Sequence, residues 1–148
     1  MARFLACAAA LLLVFAPAAA RAADFRSIAE NAAVLYDAPS LKAKKLFVIG
    51  RNYPVEVIVV VEGWIKIRDA GGALAWIESK ALSERRTLMV KTPLADIRQA
   101  ADDAAPLVFQ AEHSVLLDLV ELTGNGWARV THRDGQSGYV KLSQVWGV

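Results

Sequence analysis

The sequence predicts an all-β chain of two small five-stranded barrels in tandem, packed on each other and preceded by a cleaved leader. Three observations predict it. Past the first two dozen residues, the apolar side chains come in short runs of four to seven separated by turn signals, the pattern of strands and not of helices. The chain also matches itself at an offset of 63 residues, so that Gly63-Trp64 falls on Gly126-Trp127 and Gly72 on Gly135. Finally, each copy is too small to bury a core in a flat sheet. Five short strands in about 55 residues achieve this by curling into a barrel, which also protects strand edges.

The leader is read from residues 1–22. Arg3 supplies the positive end, residues 4–15 form an apolar stretch, Pro17 ends it, and Ala20-Arg21-Ala22 is a small-residue cleavage site. A membrane anchor is the competing reading, but a spanning helix needs about 20 apolar residues and this stretch is shorter. The expected mature chain therefore begins near Ala23, has no stable membrane span, and is periplasmic or secreted. Cys7 leaves with the leader, so no disulfide forms and no thiol remains.

Charge narrows the partners. The whole chain carries 17 Lys and Arg against 15 Asp and Glu, but Arg3 and Arg21 belong to the leader, and the mature chain is formally neutral. Nucleic acid calls for a clustered basic face, and none is expected here.

In the first copy, residues 23–86, the strand runs are 33–36, 45–49, 55–61, 64–69 and 74–78, with turns at Asp37-Ala38-Pro39-Ser40 and Gly71-Gly72. The run 55–61 is apolar at both parities except for Glu56, so one face is expected against its own barrel and the other against a neighbour. The linking segment Ser83-Glu84-Arg85-Arg86 leads into a further strand at Thr87–Val90. The second copy, residues 87–148, repeats the pattern. At the 63-residue offset Val34 pairs with Ile97, Leu46 with Phe109, Val57 with Val120, Val59 with Leu122, and Trp76-Ile77 with Tyr139-Val140. Asp134-Gly135 suits a type I′ hairpin turn, which needs positive φ at both central positions.

These residues resemble a known family. Val34-Leu35-Tyr36-Asp37-Ala38-Pro39-Ser40, then Gly63-Trp64-Ile65-Lys66-Ile67, then Ala75-Trp76-Ile77 closing at Leu82 resemble the bacterial Src-homology-3-like (SH3-like, SH3b) domain. The second copy offers Asp96-Ile97-Arg98, Gly126-Trp127-Ala128-Arg129-Val130 and Gly138-Tyr139-Val140. The tandem arrangement looks like an exported proteobacterial family of paired domains. The resemblance implies a five-stranded barrel and an envelope location, and it implies no reaction. Relatives of the single domain serve as cell-wall-targeting modules beside hydrolases. The second copy departs from the pattern with Gln99-Ala100-Ala101-Asp102 at the first turn, and Gln99 stands where the first copy has Tyr36.

Little chemistry is written into the sequence. The mature chain has no Cys, and His113 and His132 lack the setting of a nucleophile's base, so no catalytic residue and no enzyme activity is expected. The His and acidic residues are too sparse for a zinc site, and Gly71-Gly72 is a turn rather than a phosphate loop; no metal and no cofactor are expected. The aromatic residues carry the one binding argument. The parity that turns Ile65 and Ile67 inward sends Trp64, Lys66 and Arg68 outward. Tyr36, Tyr53, Trp64 and Trp76 then form a candidate groove for an extended peptide or a sugar. The alternative is that Trp64 and Trp127 close the barrels or fill the joint between copies. The expected function is a non-catalytic binding or scaffold module of the cell envelope that contacts peptidoglycan or an envelope protein. A structural or accessory role through strand-edge association, without a groove, is the alternative.

Overall fold

Where every second side chain of a run is apolar, a strand buries one face, and the computed structural model, which describes residues 22–148, is built of such strands. In the first copy they are β1 (Asp24–Ile28), β2 (Ala32–Tyr36), β3 (Lys45–Gly50), β4 (Pro54–Val61), β5 (Trp64–Arg68), β6 (Leu74–Glu78) and β7 (Leu82–Ser83), with a 3₁₀ turn at Ser79–Ala81. In the second they are β8 (Thr87–Val90), β9 (Leu94–Arg98), β10 (Leu107–Glu112), β11 (Leu116–Leu122), β12 (Trp127–Thr131), β13 (Ser137–Lys141) and β14 (Val145–Trp146), with a 3₁₀ turn at Leu142–Gln144. The expected leader lies outside the described residues, apart from its last residue, Ala22. No helix among the described residues is long and apolar enough to cross a membrane.

The chain is all-β, with two antiparallel sheets ordered β3-β2-β6-β5-β4-β1-β7 and β10-β9-β13-β12-β11-β8-β14. Each has seven strands where five were expected, and neither sheet closes into a full barrel. In the first copy the extra strands are β1 and β7. β1 pairs with β4 on one side and β7 on the other. Arg26 and Ser27 interrupt its apolar run, which hides it in the sequence, yet Phe25, Ser27 and Ile28 are all buried. Ser27 is satisfied there because its hydroxyl donates to the Arg85 carbonyl at 2.8 Å.

Each sheet wraps its own core. Ile28, Leu35, Val55, Ile65, Ile67 and Ile77 form the first, and Leu88, Ile97, Leu117, Val130, Val140 and Val145 the second. Their register corrects the gapless repeat. From β2 and β9 through β4 and β11 the copies correspond at an offset of 62: Leu35 pairs with Phe47 as Ile97 pairs with Phe109. From β5 and β12 onward the offset is 63. The extra residue sits in the β11–β12 hairpin, where Gly124-Asn125-Gly126 replaces the two-residue turn Glu62-Gly63. A one-residue slip reverses which face a side chain takes, so Val34 is half-buried while Ile97 is core, and Ile97 corresponds to Leu35.

Two further expectations are corrected. Asp134-Gly135 is not a type I′ turn, since only Gly135 has positive φ (91°). The Gly135 N–H bonds the His132 carbonyl at 2.9 Å and the His132 N–H bonds the Gln136 carbonyl at 2.8 Å, which makes a three-residue loop. The first copy closes identically at Asp69 and Ala73, with Gly72 at φ 89°. The second face of β4 is not covered by a neighbour. Ile58, Val59, Val60 and Val61 are exposed on both faces, because this end of β4 runs past the first core, which takes in Val55 and Val57.

The copies meet through a small joint. The Phe25 ring stands edge-on to Trp146 at 5.0 Å, and the Arg86 guanidinium lies 5.8 Å from the Phe25 ring centre. Thr87 Oγ1 donates to the Asn52 carbonyl at 2.6 Å, and Arg85 pairs with Asp118 at 2.6 Å.

Candidate functional site

Three of the four aromatic residues singled out in the sequence come together on the outer face of the first sheet. Tyr36 on β2 is the register partner of Trp76 on β6, and Trp76 is in turn the partner of Lys66 on β5. Antiparallel pairing therefore lays Tyr36, Trp76 and Lys66 in one row across the sheet. Trp64 stands at the start of β5, and the Tyr36 and Trp64 rings meet edge to face at 5.3 Å and 88°. That is the favoured geometry for two ring quadrupoles. Tyr36 is buried, whereas Trp64 and Trp76 are half-exposed and present the accessible aromatic surface. The Lys66 ammonium lies 5.9 Å from the Trp76 ring centre, within cation–π range. Lys66 was not among the aromatic candidates, although its outward parity on β5 is the signal that marks it. Glu78, across from Trp64, holds Lys80 at 3.0 Å, and this hydrogen bond raises the Lys80 pKa above its ordinary value.

Tyr53 lies elsewhere. It follows β3 and packs on the first core, and its hydroxyl accepts the Ala70 N–H at 3.2 Å. Ala70 follows the far end of β5 from Trp64. Burial pushes the Tyr53 pKa up against that hydrogen bond.

The second copy does not repeat the aromatic row. With the register in place, the counterpart of Tyr36 is Arg98 and not Gln99: Arg98 pairs with Tyr139 as Tyr36 pairs with Trp76. Arg98 turns to Asp96 at 2.8 Å and the Ala105 carbonyl at 2.8 Å. Trp127, the counterpart of Trp64, is buried, with the Lys141 ammonium 5.6 Å from its ring centre. Neither Trp64 nor Trp127 fills the joint; Phe25 and Trp146 do.

The histidines sit on turns of the second copy. His113 Nδ1 lies 2.8 Å from the Ser114 hydroxyl in an exposed contact, and His132 Nδ1 lies 3.0 Å from Asp134. Among the described residues no group of three or more His, Cys, Asp and Glu could hold a metal ion.

A family model described as the bacterial SH3 domain matches residues 29–84 and 91–147. No curated protein is matched. Among solved structures the chain is similar to NlpC2 from Trichomonas vaginalis, at 16% identity and a TM-score of 0.40, covering 86% of this chain and 49% of that one. NlpC1 from the same organism gives 16% and 0.40, with 93% and 50% covered. An NlpC/P60 family protein from Bacillus cereus ATCC 10987 gives 15% and 0.39, with 82% and 55% covered. The chain thus spans about half the length of these proteins. With two matched segments, each built on one of the two sheets described above, the chain belongs to the bacterial SH3 domain family and carries two such domains in tandem.

Proposed function

We propose that this protein is a non-catalytic binding module of the bacterial cell envelope that contacts peptidoglycan through the first domain. The observation that carries this reading is the Tyr36–Trp64–Trp76 face, with Lys66 beside Trp76. Flat rings backed by a rigid sheet offer an extended sugar or peptide chain large apolar contact at little entropy cost, and the ammonium adds attraction for acidic groups. Membership of the bacterial SH3 family supports a binding role. In this reading the protein is exported and cleaved between Ala22 and Ala23, and N-terminal sequencing of protein recovered from the periplasm should begin at Ala23.

The test is co-sedimentation with isolated peptidoglycan, with and without added salt. Saturable, salt-tolerant retention that drops when Trp64→Ala or Trp76→Ala is introduced supports the reading. Retention unchanged in both folded variants would sink it.

A second reading, association with an envelope protein through strand edges, is favoured by one specific observation. Leu46, Phe47 and Val48 on the edge strand β3, and Ile58 to Val61 on β4, are large, apolar and exposed. Crosslinking in the envelope distinguishes the two, since this reading requires a protein adduct from the β3 or β4 surface and tolerates loss of Trp64.

A further inference from the structure

A cleft of about 360 Å³ opens where the two domains meet, walled by Arg51 and Asn52 of the first and by Val115, His132 and Arg133 of the second. A second hollow of about 350 Å³ shares Val115 and His132 with it and runs on to Glu112 and Asp134. Because they share these two residues the hollows adjoin, and the groove they line passes the His132 ring, which leans on Phe109 at 5.9 Å and whose Nδ1 lies 3.0 Å from Asp134. No residue of the groove belongs to the aromatic face of the first domain.

Arg51 and Arg133 line the first hollow, and Glu112 and Asp134 line the second. Arg51 spends its Nε on Asn31 at 2.9 Å, and among the described residues neither Arg51 nor Arg133 stands in an ion pair. Asp118, which lines the cleft with them, is paired with Arg85 at 2.6 Å. The joint end is therefore cationic, with guanidinium forks suited to a carboxylate. At the far end Glu112 is exposed and stands in no ion pair among the described residues, and Asp134 is fixed by the N–H and side-chain amide of Gln136 at 2.9 Å each. That end is anionic. The middle is lined by Val115 and the His132 ring. The Thr87–Asn52 hydrogen bond joins the two domains within this cleft.

We infer that this groove binds a short extended peptide with both ends free, its carboxylate between Arg51 and Arg133 and its ammonium against Glu112 and Asp134. The order of the charges sets the direction of the chain, and Val115, where the two hollows adjoin, accepts small side chains between the two ends. This site is independent of the aromatic face, and either can fail without the other.

The test uses di-, tri- and tetra-alanine with free ends, and the same peptides N-acetylated or C-amidated, titrated into the protein by NMR. Free-ended peptide of the right length should shift the amide resonances of Val115 and His132. Each cap should weaken binding by about tenfold, the loss of one charge-assisted contact. Arg51→Gln with Arg133→Gln should abolish the discrimination against the amide and keep that against the acetyl group, and Glu112→Gln should do the reverse. All three side chains are exposed, so these variants leave the cores alone. The shifts should centre on Val115 and His132 and leave the amides of Trp64 and Trp76 unmoved. No shifts with any peptide, caps without effect, unchanged selectivity in the Arg variants, or shifts confined to Trp64 and Trp76 would each overturn the inference.

Discussion

Gly147 sits where no other residue fits. Its φ is 117°, and an added Cβ would meet the Thr87 carbonyl oxygen at 2.5 Å and Pro54 Cβ at 3.2 Å, the first of them backbone that cannot swing aside. Gly135 also has positive φ, but an added Cβ there meets nothing within 4 Å. Gly147→Ala is thus expected to cost about 2–3 kcal/mol through overpacking and strain together, and Gly135→Ala about 1 kcal/mol from conformation alone. Urea midpoints of the two variants check the order, and equal losses would mean that the chain end shifts away from Thr87. Asp134 makes a pH prediction at the same scale. Hydrogen bonds from the Gln136 N–H and side chain, and then from His132, hold its carboxyl down from 3.8 to about 2. A pKa depressed on folding contributes stability that is present above the unfolded value and is lost as the pH falls from about 3.8 through about 2. Carboxyl NMR titration should find Asp134 ionised at pH values where free aspartate is half protonated. Gln136→Ala should return it towards 3.8, because the side-chain donor is gone.

Strands show most clearly what the sequence makes legible. β5 and β6 were readable because Ile65, Ile67, Ala75 and Ile77 alternate strictly with half-exposed neighbours, and that alternation is the physical signature of one buried face. β1 was not, since its buried face includes Ser27, whose partner is a carbonyl 58 residues away. The register of the second copy is hidden by one residue, because the extra hairpin residue leaves the conspicuous Gly-Trp pair at an offset of 63, while β2 to β4 sit at 62. Tyr36, Trp64 and Trp76 were readable as outward residues by parity. That they touch, and that Tyr53 does not join them, depends on pairing between distant strands, which parity does not encode. The sequence of β4 implies two covered faces, because an apolar run reads the same whether or not something covers it. Val60 and Ile65 face each other across the β4–β5 ladder, yet Val60 is 61% exposed and Ile65 1%. Ile65→Ala is expected to cost about 2–5 kcal/mol, and Val60→Thr about 0.5 kcal/mol or less. Chemical denaturation of the pair measures the contrast, and a large loss at Val60 would show that something covers β4 in solution.

At the scale of the molecule, two complete cores are coupled through few contacts, so the joint decides whether the domains unfold together. Small domains bury a modest fraction of their surface and gain from any neighbour that covers more of it. Here the cover is concentrated in Phe25 against Trp146, with the Arg86 guanidinium near the Phe25 ring and its Nη2 donating to the Gly147 carbonyl at 2.8 Å. The indole N–H of Trp146 and the Nε of Arg86 are buried there with no hydrogen-bond partner among the described residues. The joint therefore holds by ring packing rather than by a hydrogen bond from that indole. Trp146→Phe should accordingly be mild, about 1 kcal/mol or less, because no hydrogen bond is lost with the indole nitrogen. Phe25→Ala removes the shared ring and should cost about 3 kcal/mol or more. It should also separate the transitions. Amide exchange at Ile65 and at Ala128, followed through urea, should report one midpoint in the parent and two in Phe25→Ala, with the first domain melting earlier because Phe25 belongs to its β1 strand. If the two amides still lose protection together, the coupling runs through Thr87–Asn52 and Arg85–Asp118 instead, and Thr87→Val becomes the variant that should divide them.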